Sequence, residues 1–328
     1  MIKKILITGI DGFIGSSLCV KLLQKGNIVV GCDIKEKKKL QRIPKIILKN
    51  KNFRYFKIDV SNEKKFSFFL KSINIDVIYH LAAIVGVQNY IKDPIKVITF
   101  NIKSCITIAE HLKNKKKTHL IFSSTSEAFG KNSKIPWSEN SDRVSGPSHI
   151  SRWSYSSSKN TCEHILFGYF QKYKLPMTIV RFFNVYGPNQ NPIYLVSKTI
   201  DNIKKNIKPL IYDNGKQTRC MTYIDDIVNA LELIMINKEK VVGKSYNLGN
   251  NKETKVGDIV KKICLLSGKK NFYKNINTKK LYKKNYEDII RRVPDARKAK
   301  KDLNWKLKYE FDKGIKKTLE YYNLLKKV

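Results

Sequence analysis

Residues 8–16 read TGIDGFIGS, which spaces glycines 9, 12 and 15 as G-x-x-G-x-x-G. The apolar run KILIT (4–8) precedes them and an amphipathic stretch from 13 to about 25 follows, so the glycines fall on a strand-to-helix turn. Glycine there permits a tight turn and close approach to a pyrophosphate, which meets the unpaired N–H groups and positive dipole end of the helix. The turn is a weak signal alone. A strand before it, a helix after it and an acid closing the next strand make it a dinucleotide site. That acid is Asp33, in NIVVGCDI (27–34). A carboxylate accepts hydrogen bonds from ribose hydroxyls and repels a 2′-phosphate, so NAD rather than NADP is expected, although Lys35 and its basic neighbours work against this preference. Asp59, closing the third strand, is the candidate for the adenine edge. Its competing reading is a cap for the helix beginning near Asn62.

Working outward, the alternation continues through FRYFKIDV (53–60), a helix near 62–72, DVIYHLAA (76–83), a helix near 95–113, HLIFSS (119–124), a long helix over 152–173 and MTIVRFFN (177–184). Continuous apolar strands separated by helices predict a parallel sheet covered on both faces. The expected fold class is therefore α/β, a doubly wound parallel sheet of the Rossmann type. After Gly187 and Pro188 the pattern loosens, and YNLGN (246–250) reads as a last strand returning to the sheet. Residues 1–184 plus 219–250 are expected to form the NAD-binding domain. Residues 185–218 plus 251–328 form a smaller, interleaved α/β substrate lobe, with the ligand cleft between the two.

The 328 residues, 42% of them hydrophobic, suffice for a substantial core. No apolar run approaches the roughly 18–20 residues of a membrane span. The opening MIKKILITGI is read as a buried strand rather than a signal peptide, because the apolar run stops at Asp11. Six cysteines lie scattered without a C-x-x-C pair, which argues against a metal site and a disulfide framework and for a reducing cytoplasm. The net charge of +38 invites a polyanion partner, but its lysines recur along the whole chain in runs such as KEKKK (35–39) and KNKKK (113–117). With abundant Ile and Asn, this composition reads as a drifted, solvated surface. No nucleic-acid or membrane partner is expected.

RWSYSSSK (152–159) places Tyr155 and Lys159 one helical turn apart, a spacing that also arises on ordinary solvated helix faces. Context decides the matter. TGIDGFIGS, Asp33, IDV (58–60), HLAA (80–83), SSTSEAFG (123–130), Tyr155 with Lys159, RFFNVYGP (181–188), GKQTRCMTYIDD (215–226) and RRVPDARKAKKDLNW (291–305) occur in the order seen in the extended short-chain dehydrogenase/reductases that modify nucleotide sugars. The chain resembles that family from Gly9 to about Trp305. Phe129, where a tyrosine is common, and Asn304, where a glycine normally precedes the tryptophan, are its two departures.

The resemblance implies that Tyr155 takes a proton from a sugar hydroxyl while hydride moves to NAD. A free phenol has a pKa near 10, so moving it by ~3 units requires about 4 kcal/mol of phenolate stabilisation. Lys159 and the positively charged nicotinamide are the expected sources. Thr125 resembles the hydroxyl partner, with Ser126 and Glu127 completing the catalytic set. The resemblance extends the cofactor site to Phe13, Ile14, Ile34, Val60, Leu81, Ala82, Ala83, Asn101, Ser123 and Phe182, and gives Tyr155 and Lys159 cofactor contacts as well. It assigns Asn184, Val196, Arg219 and Arg292 to substrate, the two arginines gripping the diphosphate. In the decarboxylases the arginine matching Arg292 also has a role near the reacting carbon.

Thr125-Ser126-Glu127 is similar to the Thr-Ser-Glu of uronate decarboxylases, and Arg152-Trp153 to the Arg-Trp-x-Tyr of UDP-glucuronate C4-oxidising decarboxylases and UDP-apiose/xylose synthases. A turn cap is the alternative for Glu127. All family reactions begin with C4 oxidation. UDP-glucuronate decarboxylation is the leading expectation, with 4-epimerisation of UDP-glucose or UDP-N-acetylglucosamine and 4,6- or 5,6-dehydration as alternatives. A non-catalytic RNA-binding or regulatory protein is the alternative of another class. A homodimer through the helices near 95–113 and 152–173 is implied by the resemblance.

Overall fold

The computed structural model describes residues 2–277 and 289–326. The chain opens with β1 (Lys4–Thr8), turns at the glycines into α1 (Phe13–Gln24) and returns as β2 (Ile28–Asp33). Then follow α2 (Lys45–Leu48), β3 (Phe53–Lys57), α3 (Glu63–Ser72), β4 (Val77–His80), α4 (Val87–Lys92), α5 (Pro94–Leu112), β5 (His119–Thr125), α6 (Ser154–Tyr173) and β6 (Met177–Phe182). The second half contributes β7 (Val185–Tyr186), α7 (Leu195–Lys204), β8 (Leu210–Tyr212), β9 (Thr218–Cys220), β10 (Thr222–Tyr223), α8 (Ile224–Ile236), α9 (Lys238–Val241) and β11 (Lys244–Leu248). Beyond these lie β12 (Glu253–Lys255), α10 (Val256–Leu266), β13 (Lys274–Ile276), α11 (Arg297–Leu303) and α12 (Phe311–Tyr321).

Seven strands form one parallel sheet in the order β11-β6-β5-β4-β1-β2-β3. Alternate side chains divide between its faces: Ile5 and Ile7 enter the core under α1 and α8, whereas Leu6 enters the core under α3, α5 and α6. Burial on both faces explains the unbroken apolar strands, since each residue meets a helix whichever way it points. The register aligns Thr8 with His80 and Thr125 with Phe182, so the carboxyl ends that carry Asp33, His80 and Thr125 share one edge. Ligands bind at such edges.

Helix starts obey local chemistry. Asn62 Oδ1 accepts the Lys65 N–H at 3.1 Å to cap α3, and Asp93 Oδ1 accepts the Lys96 N–H at 2.9 Å to cap α5, with Pro94 in its first turn. Asp59 is therefore not the cap of α3; its Oδ1 accepts from the Ser61 N–H and hydroxyl at 2.9 and 2.7 Å. The helix expected from residue 152 begins at Ser154, behind a 3₁₀ turn over Ser151–Trp153. The last main-sheet strand begins at Lys244, two residues before the expected YNLGN, because its pairing with β6 runs from Thr178 to Phe182.

The smaller lobe is held by two-stranded pieces: β10 with β7, β12 with β9 and β13 with β8. α7 packs against α10, while α11 lies against β11 and α8. Among the described residues, no helix is long and apolar enough to cross a membrane.

Candidate active site

At the glycine turn, Gly9 has φ +68°, and a Cβ on it would stand 2.9 Å from the Ala82 backbone. A Cβ on Gly15 would stand 2.5 Å from the Gly9 carbonyl oxygen. Only hydrogen fits at either position, and no side chain caps the start of α1 behind Gly12. Phe13 and Ile14 open the helix over this space. A cradle that a Cβ would fill, at an uncapped helix N-terminus, suits a dinucleotide pyrophosphate.

Asp33 accepts the Asp11 N–H at 3.1 Å through Oδ2 and the Ile34 N–H at 2.9 Å through Oδ1, which fixes its carboxylate at the end of β2. Lys35 does not offset that charge in the way the sequence suggests. Its ammonium lies 2.6 Å from the Asp11 carboxylate, which also accepts the Gln41 and Arg42 N–H groups at 3.0 and 2.8 Å. The Lys35 ammonium, two residues along from Asp33, is thus committed to a buried partner, which favours NAD. Val60 is buried below the third strand's end, Leu81, Ala82 and Ala83 are half-buried after β4, and Ile34 is exposed. Asn101 joins α5 to α6 through its Nδ2, which donates to the Ser158 hydroxyl at 3.0 Å.

Tyr155 is buried in the first turn of α6, its ring stacked on that of Tyr90 with centroids 4.8 Å apart. Burial, then the charge of Glu127, holds the phenol's proton affinity well above the usual tyrosine range, while a hydrogen bond with the Thr125 hydroxyl acts in the opposite direction. The expected help from Lys159 takes another form. Its ammonium donates to the Ser123 carbonyl at 2.8 Å and sits 4.7 Å from the centroid of the Phe122 ring, and burial lowers its own proton affinity. Ser123 in turn donates to the His80 carbonyl at 2.8 Å, which ties the ends of β4 and β5 to the lysine. Phe182, opposite Thr125, is half-buried.

Glu127 lies in a 3₁₀ turn over Ser126–Phe129 with Ser126 buried, and Ser156 Oγ donates to the Glu127 carbonyl at 2.7 Å. Its carboxylate is gripped from two directions: Arg152 Nη1 lies 2.7 Å from Oε2 and Arg292 Nη1 lies 3.2 Å from Oε1. Burial alone would raise its pKa, but the two guanidinium groups hold it at about 2. Glu127 is therefore a fixed anion at neutral pH, which a proton-shuttling acid is not. It is also no simple turn cap, since its side chain binds two arginines.

The two arginines expected at the diphosphate have different partners. Arg219 on β9 donates to the Thr218 and Ile290 carbonyls at 2.8 and 3.2 Å, whereas Arg292 reaches Glu127. Asn184 adopts φ +37°, and its buried Nδ2 has no partner among the described residues, the mark of a group awaiting a ligand or water. Val196 is 1% exposed and packs in the core with Ile200 and Ile203, on the apolar stripe of α7. From the same segment Tyr194, 36% exposed, has its phenol pushed up to about 12 by partial desolvation and by the charge of Glu127. Tyr90 and Tyr194 were missed in the sequence because neither lies in a spaced motif.

A family model described as GDP-mannose 4,6 dehydratase matches residues 6–318. The chain is 33% identical over 326 residues to the UDP-N-acetyl-alpha-D-glucosaminuronate decarboxylase of Bacillus cytotoxicus, covering 98% of each. It is similar to the crystal structure of a UDP-glucuronic acid 4-epimerase from Bacillus cereus in complex with UDP-glucuronic acid and NAD (TM-score 0.83, 29% identity, 98% of this chain and 99% of that one). It is also similar to dTDP-glucose 4,6-dehydratase from Bacillus anthracis in complex with NAD (TM-score 0.84, 25% identity, 98% and 96%). With the glycine cradle, Asp33 and the Tyr155 pocket on one sheet edge, the chain belongs to the GDP-mannose 4,6-dehydratase family, the NAD-dependent, extended short-chain dehydrogenase/reductase enzymes that epimerise, dehydrate or decarboxylate nucleotide sugars.

Proposed function

We propose that this protein decarboxylates a UDP-uronate, with UDP-glucuronate or its 2-acetamido counterpart as substrate. The observation that carries this reading is the Arg152–Glu127–Arg292 cluster beside Tyr155. It sets two guanidinium groups against one carboxylate, a net positive charge at the reacting end of the site, from which a C5 carboxylate profits and a neutral hexose does not. A Glu127 whose proton affinity is held down by two guanidinium groups is a poor proton carrier at neutral pH, which argues against dehydration, in which it would have to move a proton. The similarity to a decarboxylase over the full chain supports the same conclusion.

Bound NAD supplies the hydride acceptor and donor. Tyr155 takes the O4 proton, with Thr125 stabilising its phenolate by a hydrogen bond. The resulting 4-keto group draws the electrons of the bond between C5 and the carboxylate, carbon dioxide departs and a proton replaces it at C5. Asn184, with its open amide, and Arg219 contact the nucleotide diphosphate. Residues 1–184 plus 219–250 serve the cofactor and residues 185–218 plus 251–328 the nucleotide sugar, although α11 packs back on the main sheet. Two copies associate through α5 and α6, which pack together and leave Ile95 and Ile106 exposed. Light scattering on the eluting protein would show one subunit mass if that contact does not form.

Proton NMR with NAD and, in separate tubes, UDP-glucuronate, UDP-N-acetylglucosaminuronate, UDP-glucose and UDP-N-acetylglucosamine tests the reading. Loss of carbon dioxide and new signals of a C6-lacking sugar from a uronate alone are expected. A galacto-configured uronate that keeps its carboxylate would instead make the enzyme a 4-epimerase, like the similar Bacillus cereus protein.

A further inference from the structure

The lysine excess is uneven over the surface. Seven segments lead into the amino ends of the seven main-sheet strands: residues 2–3, 25–27, 49–52, 73–76, 113–118, 174–176 and 237–243. Together they hold eleven lysines and two acids, Asp76 and Glu239. The segments leaving the carboxyl ends of the same strands are residues 9–12, 34–44, 58–62, 81–86, 126–153, 183–194 and 249–252. These contain more than twice as many residues but only ten basic side chains, partly offset by six acids. Compositional drift acting uniformly on a surface predicts the same balance at both edges. The edge opposite the active site is far more cationic than that.

Three of these segments and the last turn of α6 form one continuous patch. The Lys116 ammonium donates to the Tyr173 carbonyl, Lys238 Nζ donates to the Lys117 carbonyl at 2.9 Å, and Lys113 and Lys172 lie 5.8 and 5.2 Å from the Tyr173 ring centroid. Lys115, Lys117, Lys172, Lys174 and Lys240 are exposed around it. The same edge carries two large apolar side chains outside the core, Ile2 at 67% exposure and Ile236 at 65%.

We propose that this lysine-rich edge docks the enzyme on an anionic phospholipid bilayer, with the catalytic edge facing away from it. Lysines on flexible stems match a diffuse layer of anionic headgroups, and the two isoleucines lose water on entering the interface. A nucleic-acid backbone satisfies the first feature but gives the isoleucines nothing. The contact is peripheral and needs no spanning helix.

The test is flotation of the full chain with vesicles of phosphatidylcholine containing about a third phosphatidylglycerol, against phosphatidylcholine alone, at about 0.15 M salt. Binding to the anionic vesicles only is expected. Replacing Lys115, Lys117, Lys172 and Lys240 together by Glu should weaken it by roughly tenfold or more. The same four charge reversals at Lys198, Lys255, Lys261 and Lys316, exposed on the smaller lobe, should change it by less than about twofold. Ile2→Ser with Ile236→Ser should weaken binding without altering its salt dependence. Equal loss in the two lysine sets would reduce the effect to total charge and overturn the proposal. So would failure to float, or tighter retention on single-stranded RNA than on vesicles at the same salt. Turnover in the NMR assay is read separately, so failure of membrane docking and failure of the decarboxylase reading are distinct results.

Discussion

The ring of Tyr90 lies parallel to that of Tyr155, 5° from coplanar in orientation and 4.8 Å away between centroids. The stack belongs to a small apolar cluster completed by Val97, and the Tyr90 hydroxyl is fixed by accepting the Gly86 N–H at 2.8 Å. One face of the Tyr155 phenol is thereby closed to water. This raises the phenol's proton affinity and makes Tyr90 a positioning residue for Tyr155.

Opening that face lowers the pH at which the enzyme becomes active. In Tyr90→Ala water reaches the phenolate, so the ionising limb of the pH profile of kcat is expected to move to lower pH. Tyr90→Phe keeps the ring and should leave the limb in place, while costing about 1–3 kcal/mol for the unpaired Gly86 N–H. Profiles of both variants, with thermal unfolding, make the comparison. An unmoved limb in Tyr90→Ala would show that the stack does not tune the phenol.

Tyr155→Phe removes the proton acceptor and little else. Activity should fall by about 10²–10⁴-fold with NAD affinity and melting temperature close to those of the wild type. Equal loss of NAD binding would make the tyrosine a cofactor ligand first.

Glu127 ties acid stability to the active site. Its carboxyl titrates at about 2 in the folded protein against 4.5 ordinarily, so folding binds the ionised form more tightly. The associated stability, about 3 kcal/mol, is fully present above pH ~4.5 and is lost as pH falls through the folded value. Glu127→Gln abolishes this part of the acid dependence. It also leaves Arg152 and Arg292 without that carboxylate, a loss of about 3–5 kcal/mol at neutral pH. Urea unfolding at a series of pH values reads both effects; parallel curves for the two proteins would contradict the linkage.

The Asp11–Lys35 pair predicts a cofactor switch. Asp11→Asn frees the lysine beside Asp33, so affinity for NADP should rise relative to NAD by about tenfold, one charge-assisted contact. Titration with the two dinucleotides, followed by calorimetry, measures the ratio. An unchanged ratio would mean that Asp33 alone sets the preference.

Much of this molecule was legible in the chain. Strand periodicity and the glycine turn are local properties, read within a few residues, and they specified a doubly wound sheet with the cofactor cradle at the head of α1. Tyr155 and Lys159 could be paired because one helical turn always places i and i+4 on one face. Contacts between residues far apart in sequence could not be read in the same way. Arg152 and Arg292 approach Glu127 from 25 and 165 residues away, and only the packing of α6 and of the segment around Arg292 against the β5 turn makes Glu127 a permanent anion rather than an acid. Val196 illustrates the converse: the resemblance assigned it to substrate, and the structure buries its side chain in the core on α7. The lysines show the same division. Composition set their number, but the parallel sheet gathered the ends of its helices at one edge and so decided where the positive charge lies.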